Sequence, residues 1–169
     1  KRPIFASSTA GFWKRWHISL STWFKDYLYF PLGGSKVGVP RMCFNLMIVF
    51  LVSGLWHGAN WTFVIWGAIN GFYLVFALLT KTVRERIWNF TRIPKLPKIN
   101  LAVQILTTFM LIAFSRVFFR SEDLSQAVSI IKKMATFSGT IFNESTTMIV
   151  YSLFAIAFLI AVEFRREFF

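Results

Sequence analysis

The longest uncharged stretch of the chain covers residues 42–80 and contains no Asp, Glu, Lys or Arg. A helix of about 20 apolar residues is long enough to cross the hydrocarbon core of a bilayer. This stretch therefore predicts two membrane-spanning helices, over residues 42–58 and 61–80. We expect a tight turn between them near Gly58, within the sequence SGLWHGANW of residues 53–61.

Two further apolar runs, over residues 100–119 and 147–162, predict a third and a fourth span. Between them, Ser121 is suited to cap a short amphipathic helix with an acidic first turn and a basic last turn, as the helix dipole favours. The pattern predicts an all-α polytopic membrane helix bundle. It would have about four spanning helices and additional interfacial or re-entrant helices.

The N-terminal segment has a different pattern, with aromatic and aliphatic side chains at three- and four-residue spacing over residues 12–30. This spacing predicts one amphipathic helix, which Ser7-Ser8-Thr9 would cap. A helix with an aromatic face and a basic face lies in the membrane interface or dips into the bilayer. Because Pro31 and Gly33-Gly34 would end the helix, residues 8–34 are interpreted as an amphipathic or re-entrant unit.

The composition agrees with a membrane protein. Of the 169 residues, 56% are hydrophobic and 19% are aromatic, and the mean hydropathy is +0.56, outside the usual range of soluble domains. The chain begins with Lys1-Arg2-Pro3, without a Met or a leading targeting segment. We therefore expect residues 1–169 to be a single membrane domain from a longer polytopic protein.

The formal net charge of +12 would suit a nucleic-acid partner if the basic residues formed one surface. They cluster instead in the connections, and residues 81–98 carry six basic residues against one acid, Glu85. Basic residues are enriched in cytoplasmic loops. We therefore expect residues 81–98, the connector 35–41 and the C-terminus on the cytoplasmic side. Membrane lipid is the expected partner of this surface, and nucleic acid is not.

His57 is the first candidate for chemistry. A helix that starts near Met42 and rises about 1.5 Å per residue carries His57 to a depth of roughly 22 Å, inside a hydrocarbon core of about 30 Å. An ionisable side chain at that depth indicates a functional site. Imidazole has an ordinary pKa of about 6.5 and can accept a proton at neutral pH, as a general base must.

Three polar neighbours of His57 each have two interpretations. Ser53 lies one turn earlier on the same helix face, where it could be a nucleophile or could bond the carbonyl one turn back. Asn60 and Asn70 could orient His57 or a substrate carbonyl, or could satisfy the backbone freed at the turn.

The N-terminal unit adds two more candidates. His17 lies on the aromatic face of the predicted helix, where a structural and a catalytic role are both open. Asp26 is the only acid in residues 1–80, and an ion pair with a neighbouring basic residue is its simplest role. No metal is expected, because a catalytic zinc needs three protein ligands.

Residues 12–34, with the sequence FWKRWHISLSTWFKDYLYFPLGG, closely resemble the signature of the membrane-bound O-acyltransferases (MBOAT). The resemblance is to the branch of bacterial alginate O-acetyltransferases, with the D-alanyl transferases of teichoic acid as relatives. Residues 53–61 look like the second motif of that branch, and VFFR at residues 117–120 is similar to a weaker third block. The resemblance covers essentially the whole chain, which would form the C-terminal portion of a longer enzyme.

The resemblance implies that His57 is the catalytic histidine and His17 a conserved polar position near it. It implies transfer of an acyl group, acetyl in this branch, to a hydroxyl of an exported polysaccharide or of a periplasmic or extracellular protein. The expected donor is acetyl-CoA or another acyl thioester on the cytoplasmic side, with no bound cofactor. The location would be the inner (plasma) membrane, and Asn60, Ser53 and Asp26 are the candidate substrate-binding residues.

Two other functions remain open from the residues alone. In a proton-coupled transporter segment, His57 would bind or relay protons. In a non-catalytic membrane subunit, the two histidines would be structural. Neither function accounts for the long motif at residues 12–34.

Overall fold

The structure is a computed structural model that describes residues 2–90, 96–136 and 146–168. These residues form helices and connections, without a β-strand among them, which confirms the predicted all-α class. After a 3-10 turn at Pro3–Phe5, the helices in chain order are α1 (Thr9–Trp13), α2 (Ile18–Phe24), α3 (Val39–His57), α4 (Trp61–Leu79), α5 (Lys81–Phe90), α6 (Pro97–Arg120), α7 (Leu124–Thr136) and α8 (Thr146–Phe168).

Three helices of the described chain, α3, α4 and α6, are long and apolar enough to cross a membrane. They coincide with the first three predicted spans. The fourth predicted span, over residues 147–162, lies within the continuous helix α8, and its crossing of the membrane stays a prediction. The predicted connector over residues 81–98 begins with α5, and residues 91–95 lie outside the described part of the chain.

The helices α3 and α4 form a closely packed antiparallel hairpin. A Cβ atom placed on Gly54 would overlap the carbonyl oxygen of Phe63, and one placed on Gly67 would overlap that of Phe50. The backbones of the two helices can therefore approach only because these positions are glycine. Small residues that allow such approach are a main source of packing energy between helices in lipid.

The turn of the hairpin is stabilised by Asn60, the residue before α4. Its Oδ1 accepts a hydrogen bond from the backbone N–H of Thr62 at 3.1 Å, which caps the helix. Its Nδ2 donates to the carbonyl oxygen of Glu122 at 2.8 Å and so connects the turn to the start of α7. The helix α7 thus lies at the end of the bundle that contains the α3–α4 turn.

The predicted cap of this short helix is corrected by the structure. Ser121 does not cap it, because its hydroxyl donates back to the carbonyl oxygen of Val117 at 2.7 Å, at the end of α6. Asp123 caps α7 instead, since its Oδ1 accepts from the backbone N–H of Gln126 at 2.7 Å. A hydroxyl can satisfy either of two neighbouring helix ends, and the sequence does not distinguish them.

The N-terminal unit also differs from the prediction, which had one helix over residues 12–30. Helix α1 is capped by Ser8, whose Oγ accepts from the N–H of Gly11 at 3.1 Å, and it ends at Trp13. The chain then turns through His17, which has φ 48° and ψ 50°, before α2 and a π-helical turn at Lys25–Tyr29. The left-handed conformation of His17 breaks the helix, and apolar spacing alone cannot show this break.

The end of this unit is the glycine turn that the sequence predicts. Gly33 and Gly34 have φ values of 103° and 56°, which side chains rarely adopt. The fully buried Asn45 of α3 holds this turn, because its Nδ2 donates to the carbonyl oxygens of Leu32 at 3.0 Å and of Gly34 at 3.3 Å. The N-terminal unit is thereby attached to the hairpin.

Candidate active site

A cavity of about 650 Å³ lies between the N-terminal unit and the helices α3, α4 and α6. On α3 its wall extends from Leu46 to His57, which is about 16 Å along a helix. Trp66, Asn70 and Leu74 contribute from α4, and the last two turns of α6 close a further side. The cavity therefore follows the helix axes and reaches the end of the bundle where α3 turns into α4.

His57 is the last residue of α3, about 27 Å along the helix from Val39. Its half-buried imidazole is surrounded by aromatic rings, in edge-to-face contact with Trp66 at 5.3 Å, Phe119 at 5.0 Å and Trp56 at 5.0 Å between ring centroids. These rings come from three elements of the bundle and restrict the orientation of the imidazole. Within the described chain neither ring nitrogen of His57 has a hydrogen-bond partner.

His17 lines the same cavity as His57, although 40 residues separate them in the sequence. Its left-handed backbone conformation is unusual for a residue other than glycine, and such strain is concentrated at functional sites. The residues before it in the turn, Lys14 and Trp16, line the cavity too. The break between α1 and α2 thus contributes polar side chains of the N-terminal unit to the cavity that His57 lines.

Two of the polar neighbours proposed from the sequence also lie on the cavity wall. Ser53 is half-buried, and within the described residues its hydroxyl bonds neither His57 nor the carbonyl one turn back. Asn70 is fully buried, and its Nδ2 donates to the carbonyl oxygen of Trp66 at 2.8 Å. Its Oδ1 has no hydrogen-bond partner among the described residues. Asn70 therefore fixes the helix turn whose Trp66 packs against His57.

The structure does not bring the other two candidate substrate-binding residues to this cavity. Both polar atoms of the Asn60 side chain form hydrogen bonds within the protein. The Oδ1 caps α4, and the Nδ2 donates to the carbonyl oxygen of Glu122. This corresponds to the structural alternative considered for Asn60. Asp26 is exposed in the π-helical turn and is not part of the cavity wall, and no ion pair forms to it among the described residues. A binding role for either residue has no support from its position.

Sequence reasoning did not identify the basic residues of the cavity, Arg116, Lys14 and Lys25. The guanidinium of Arg116 lies 4.7 Å from the centre of the Trp16 ring, a cation–π contact between α6 and the N-terminal unit. The one available signal was the position of Arg116 a full turn inside the span, before Arg120.

The family model of MBOAT, the membrane-bound O-acyltransferase family, matches residues 1–119 of this chain. The chain belongs to the MBOAT family. The match contains the N-terminal unit, the hairpin with His57, and α6 as far as Phe119, which are the elements that form the cavity. The predicted family is thereby confirmed.

Curated MBOAT relatives include a "Peptidoglycan O-acetyltransferase" of Helicobacter pylori, 41% identical over 81% of this chain and 24% of the relative. A "Probable alginate O-acetylase AlgI" of Azotobacter vinelandii is 35% identical over 99% of this chain and 32% of the relative. A "Teichoic acid D-alanyltransferase" of Streptococcus thermophilus is 33% identical over 44% of this chain and 20% of the relative. The chain thus spans about a third or less of the length of these relatives.

The arrangement in this MBOAT chain is suited to proton transfer at a half-buried position. Neither ring nitrogen of His57 is hydrogen-bonded within the described residues, so the unprotonated one can accept a proton from a bound hydroxyl. The aromatic rings around the imidazole replace water, and electrostatic interactions are stronger in such surroundings. His17 offers a second imidazole to the same bound molecule.

Proposed function

We propose that the protein containing this chain is a membrane O-acyltransferase in which His57 acts as the general base. The proposal is carried by one observation: the imidazole of His57, free of hydrogen bonds within the described chain, faces a cavity built from the segments that define the MBOAT family. The acyl group is proposed to be acetyl, because the relatives that cover most of this chain are named for O-acetyl transfer.

The reaction joins an acceptor hydroxyl and an acyl thioester, without a protein-bound acyl intermediate. His57 takes the proton of the hydroxyl while its oxygen attacks the acyl carbonyl carbon, so that the new C–O bond forms as the proton leaves. The C–S bond then breaks, and the thiolate leaves with the proton that His57 returns. The products are an O-acyl ester and a free thiol, and the imidazole is regenerated.

His17 is proposed to contact the same substrates, because it lines the same cavity as His57. A hydrogen bond from the imidazole of His17 to the acyl carbonyl oxygen would stabilise the negative charge that develops on this oxygen during attack. Such stabilisation is a major source of rate acceleration in acyl transfer. The αL conformation of His17 is energetically unfavourable for a residue other than glycine. A role in orienting or polarising the carbonyl gives this strained residue a function.

Acetyl-CoA or another acyl thioester on the cytoplasmic side is the proposed donor. The proposed acceptor is a hydroxyl of an exported polysaccharide or of a protein outside the inner membrane. The names of the relatives support this side of the proposal, since they refer to alginate, peptidoglycan and teichoic acid. All three are polymers of the cell envelope or the cell exterior.

The test uses the full-length parent protein in membranes, supplied with labelled acetyl-CoA, and measures label in the envelope polysaccharide and protein fractions. We expect His57→Gln to lower transfer by about 100-fold or more at matched protein level, as for the loss of a general base. Leu55→Ala is the matched control. It lies on the same helix with 55% of its surface exposed, and it is not part of the cavity wall.

Full transfer by His57→Gln would overturn the role of His57. Transfer lost equally in Leu55→Ala would show that the helix, and not the imidazole, is responsible. A parent protein that transfers no label from acetyl-CoA would overturn this donor, and the same comparison with a labelled acyl-carrier thioester would then test the reaction itself.

A further inference from the structure

Arg116 is a cation inside a predicted membrane span, and no anion among the described residues neutralises it. It lies one turn before the end of α6 and lines the cavity. Its guanidinium carbon lies over the Trp16 ring, 4.7 Å from the ring centre, and no carboxylate or carbonyl of the described residues bonds it. Charged residues within spans are costly and normally pair with each other or serve a functional pathway. The partner of Arg116 is therefore expected to come from a bound molecule.

The rest of the cavity wall has the same sign of charge. Lys14 and Lys25 also line it, and no Asp or Glu is found among its described lining residues. All three side chains are exposed in the described chain, and their positive charges on the wall of one cavity attract an anion, more strongly where a bound substrate excludes water. The hydroxyls of Ser21 and Thr22 on the same wall add polar contacts.

The anion would lie close to the reacting groups. Arg116 and Phe119 are three residues apart on α6, both line the cavity, and the Phe119 ring contacts the imidazole of His57 at 5.0 Å. Arg116 thus lies about one helical turn from Phe119, the residue of α6 that contacts His57. Its planar fork can bind a carboxylate or a phosphate with two parallel hydrogen bonds, while the Trp16 ring keeps the plane in place.

We propose that Arg116, supported by Lys14, forms a subsite for a carboxylate or phosphate group of a substrate bound at His57. The inference rests on the proposed acyl transfer and names the charge that the site selects. The anion has two sources. It belongs either to an acidic acceptor, such as a uronate polymer, or to the phosphates of a CoA donor.

The experiment compares the full-length parent with Arg116→Gln and Arg116→Lys in steady-state acetyl transfer. Arg120→Gln is the matched control, because it removes the same charge one turn further along α6 from an exposed residue outside the cavity wall. The donor probes are acetyl-CoA and S-acetylpantetheine, which lacks phosphate. The acceptor probes are a mannuronate oligosaccharide and its uncharged methyl ester.

We expect Arg116→Gln to raise the KM of the anionic probe on one side about tenfold or more, the range for hydrogen bonds to a charged group. The KM of its uncharged counterpart should stay unchanged. Arg116→Lys should recover part of the affinity because it keeps the charge without the fork. An effect confined to acetyl-CoA identifies the donor phosphates, and one confined to the mannuronate oligosaccharide identifies an acidic acceptor. Equal KM values in the parent and Arg116→Gln for every probe would overturn the subsite.

A binding measurement separates this inference from the proposed function. Retention of labelled CoA and of labelled mannuronate oligosaccharide by the purified proteins needs no turnover. If the parent transfers acetyl but Arg116→Gln matches it throughout, the subsite is wrong and the acyl transfer stands. If the parent transfers nothing, retention that is lost in Arg116→Gln and kept in Arg120→Gln still supports the subsite. Retention that is equal in all proteins, or absent from all, overturns it.

Discussion

Gly67→Ala tests the packing that holds the two helices of the α3–α4 hairpin together. The new Cβ would overlap the carbonyl oxygen of Phe50 and lie 3.1 Å from its carbonyl carbon and 3.4 Å from the Cα of Gly54. These are backbone atoms of α3, which cannot rotate away, so the helices must separate. Overpacking of this kind costs about 1–3 kcal/mol, against about 1 kcal/mol gained because Ala favours a helix more than Gly does.

Gly71→Ala is the matched control, since it makes the same change one turn further along α4. Its Cβ would lie 3.0 Å from the sulfur of Met47, a flexible side chain that can move aside, and 3.1 Å from the Cβ of Phe50, which must give by a few tenths of an ångström. Both variants gain the same helix propensity. We therefore expect Gly67→Ala to be less stable than Gly71→Ala by about 1–3 kcal/mol.

The assay is reversible unfolding of the full-length protein in mixed micelles by titration with SDS, followed by acetyl transfer at equal folded fraction. Separation of α3 from α4 would also move His57 away from Trp66. In the structure the ring centroids of these two residues are 5.3 Å apart. Transfer by Gly67→Ala should fall for that reason. If Gly67→Ala is as stable as Gly71→Ala and transfers equally well, the close approach of the backbones does not position His57.

Three further substitutions test other parts of the structure by the same unfolding measurement. His17→Gly should be more stable than His17→Ala by about 1 kcal/mol, because only glycine adopts φ 48° without strain; equal stability would contradict the αL conformation. Asn60→Ala should cost about 1 kcal/mol as a lost cap, and Asn60→Asp, which keeps the acceptor for the N–H of Thr62, should cost less. Asn45→Leu should cost about 1–3 kcal/mol because it leaves buried carbonyls of the glycine turn unpaired; a neutral result would show that this turn does not depend on Asn45.

The spans and turns of this protein are determined by local sequence. In a bilayer, the backbone N–H and C=O groups of an apolar segment must be hydrogen-bonded within the segment, and a helix achieves this. The uncharged run over residues 42–80 has the length of two such helices. The turn at Gly33 and Gly34 follows from the positive φ values that glycine permits. Gly58 has an extended backbone with φ 163°, and the lack of a side chain there leaves space for the ring of Phe63. His57 could be singled out for the same kind of reason, as an ionisable group in an apolar run.

Local sequence did not show which residues line the cavity. His17 lies 40 residues before His57 along the chain, and Arg116 lies 59 residues after it. Their meeting depends on how α6 and the N-terminal unit pack against the hairpin. Asn60 shows the reverse case, since its position beside His57 in the sequence suggested substrate contact while its amide caps α4 and bonds Glu122.

The sequence by itself thus determined which segments are helical and apolar, where the hairpin turns, and which histidine lies in the membrane segment. Only the tertiary structure decided that the helix over residues 12–30 breaks at His17 and that Arg116 faces the same cavity as His57. Hydrophobic length and glycine conformations act between near neighbours in the chain, and a sequence displays them directly. A site assembled from separate helices depends on contacts between distant residues, which exist only once the helices have packed.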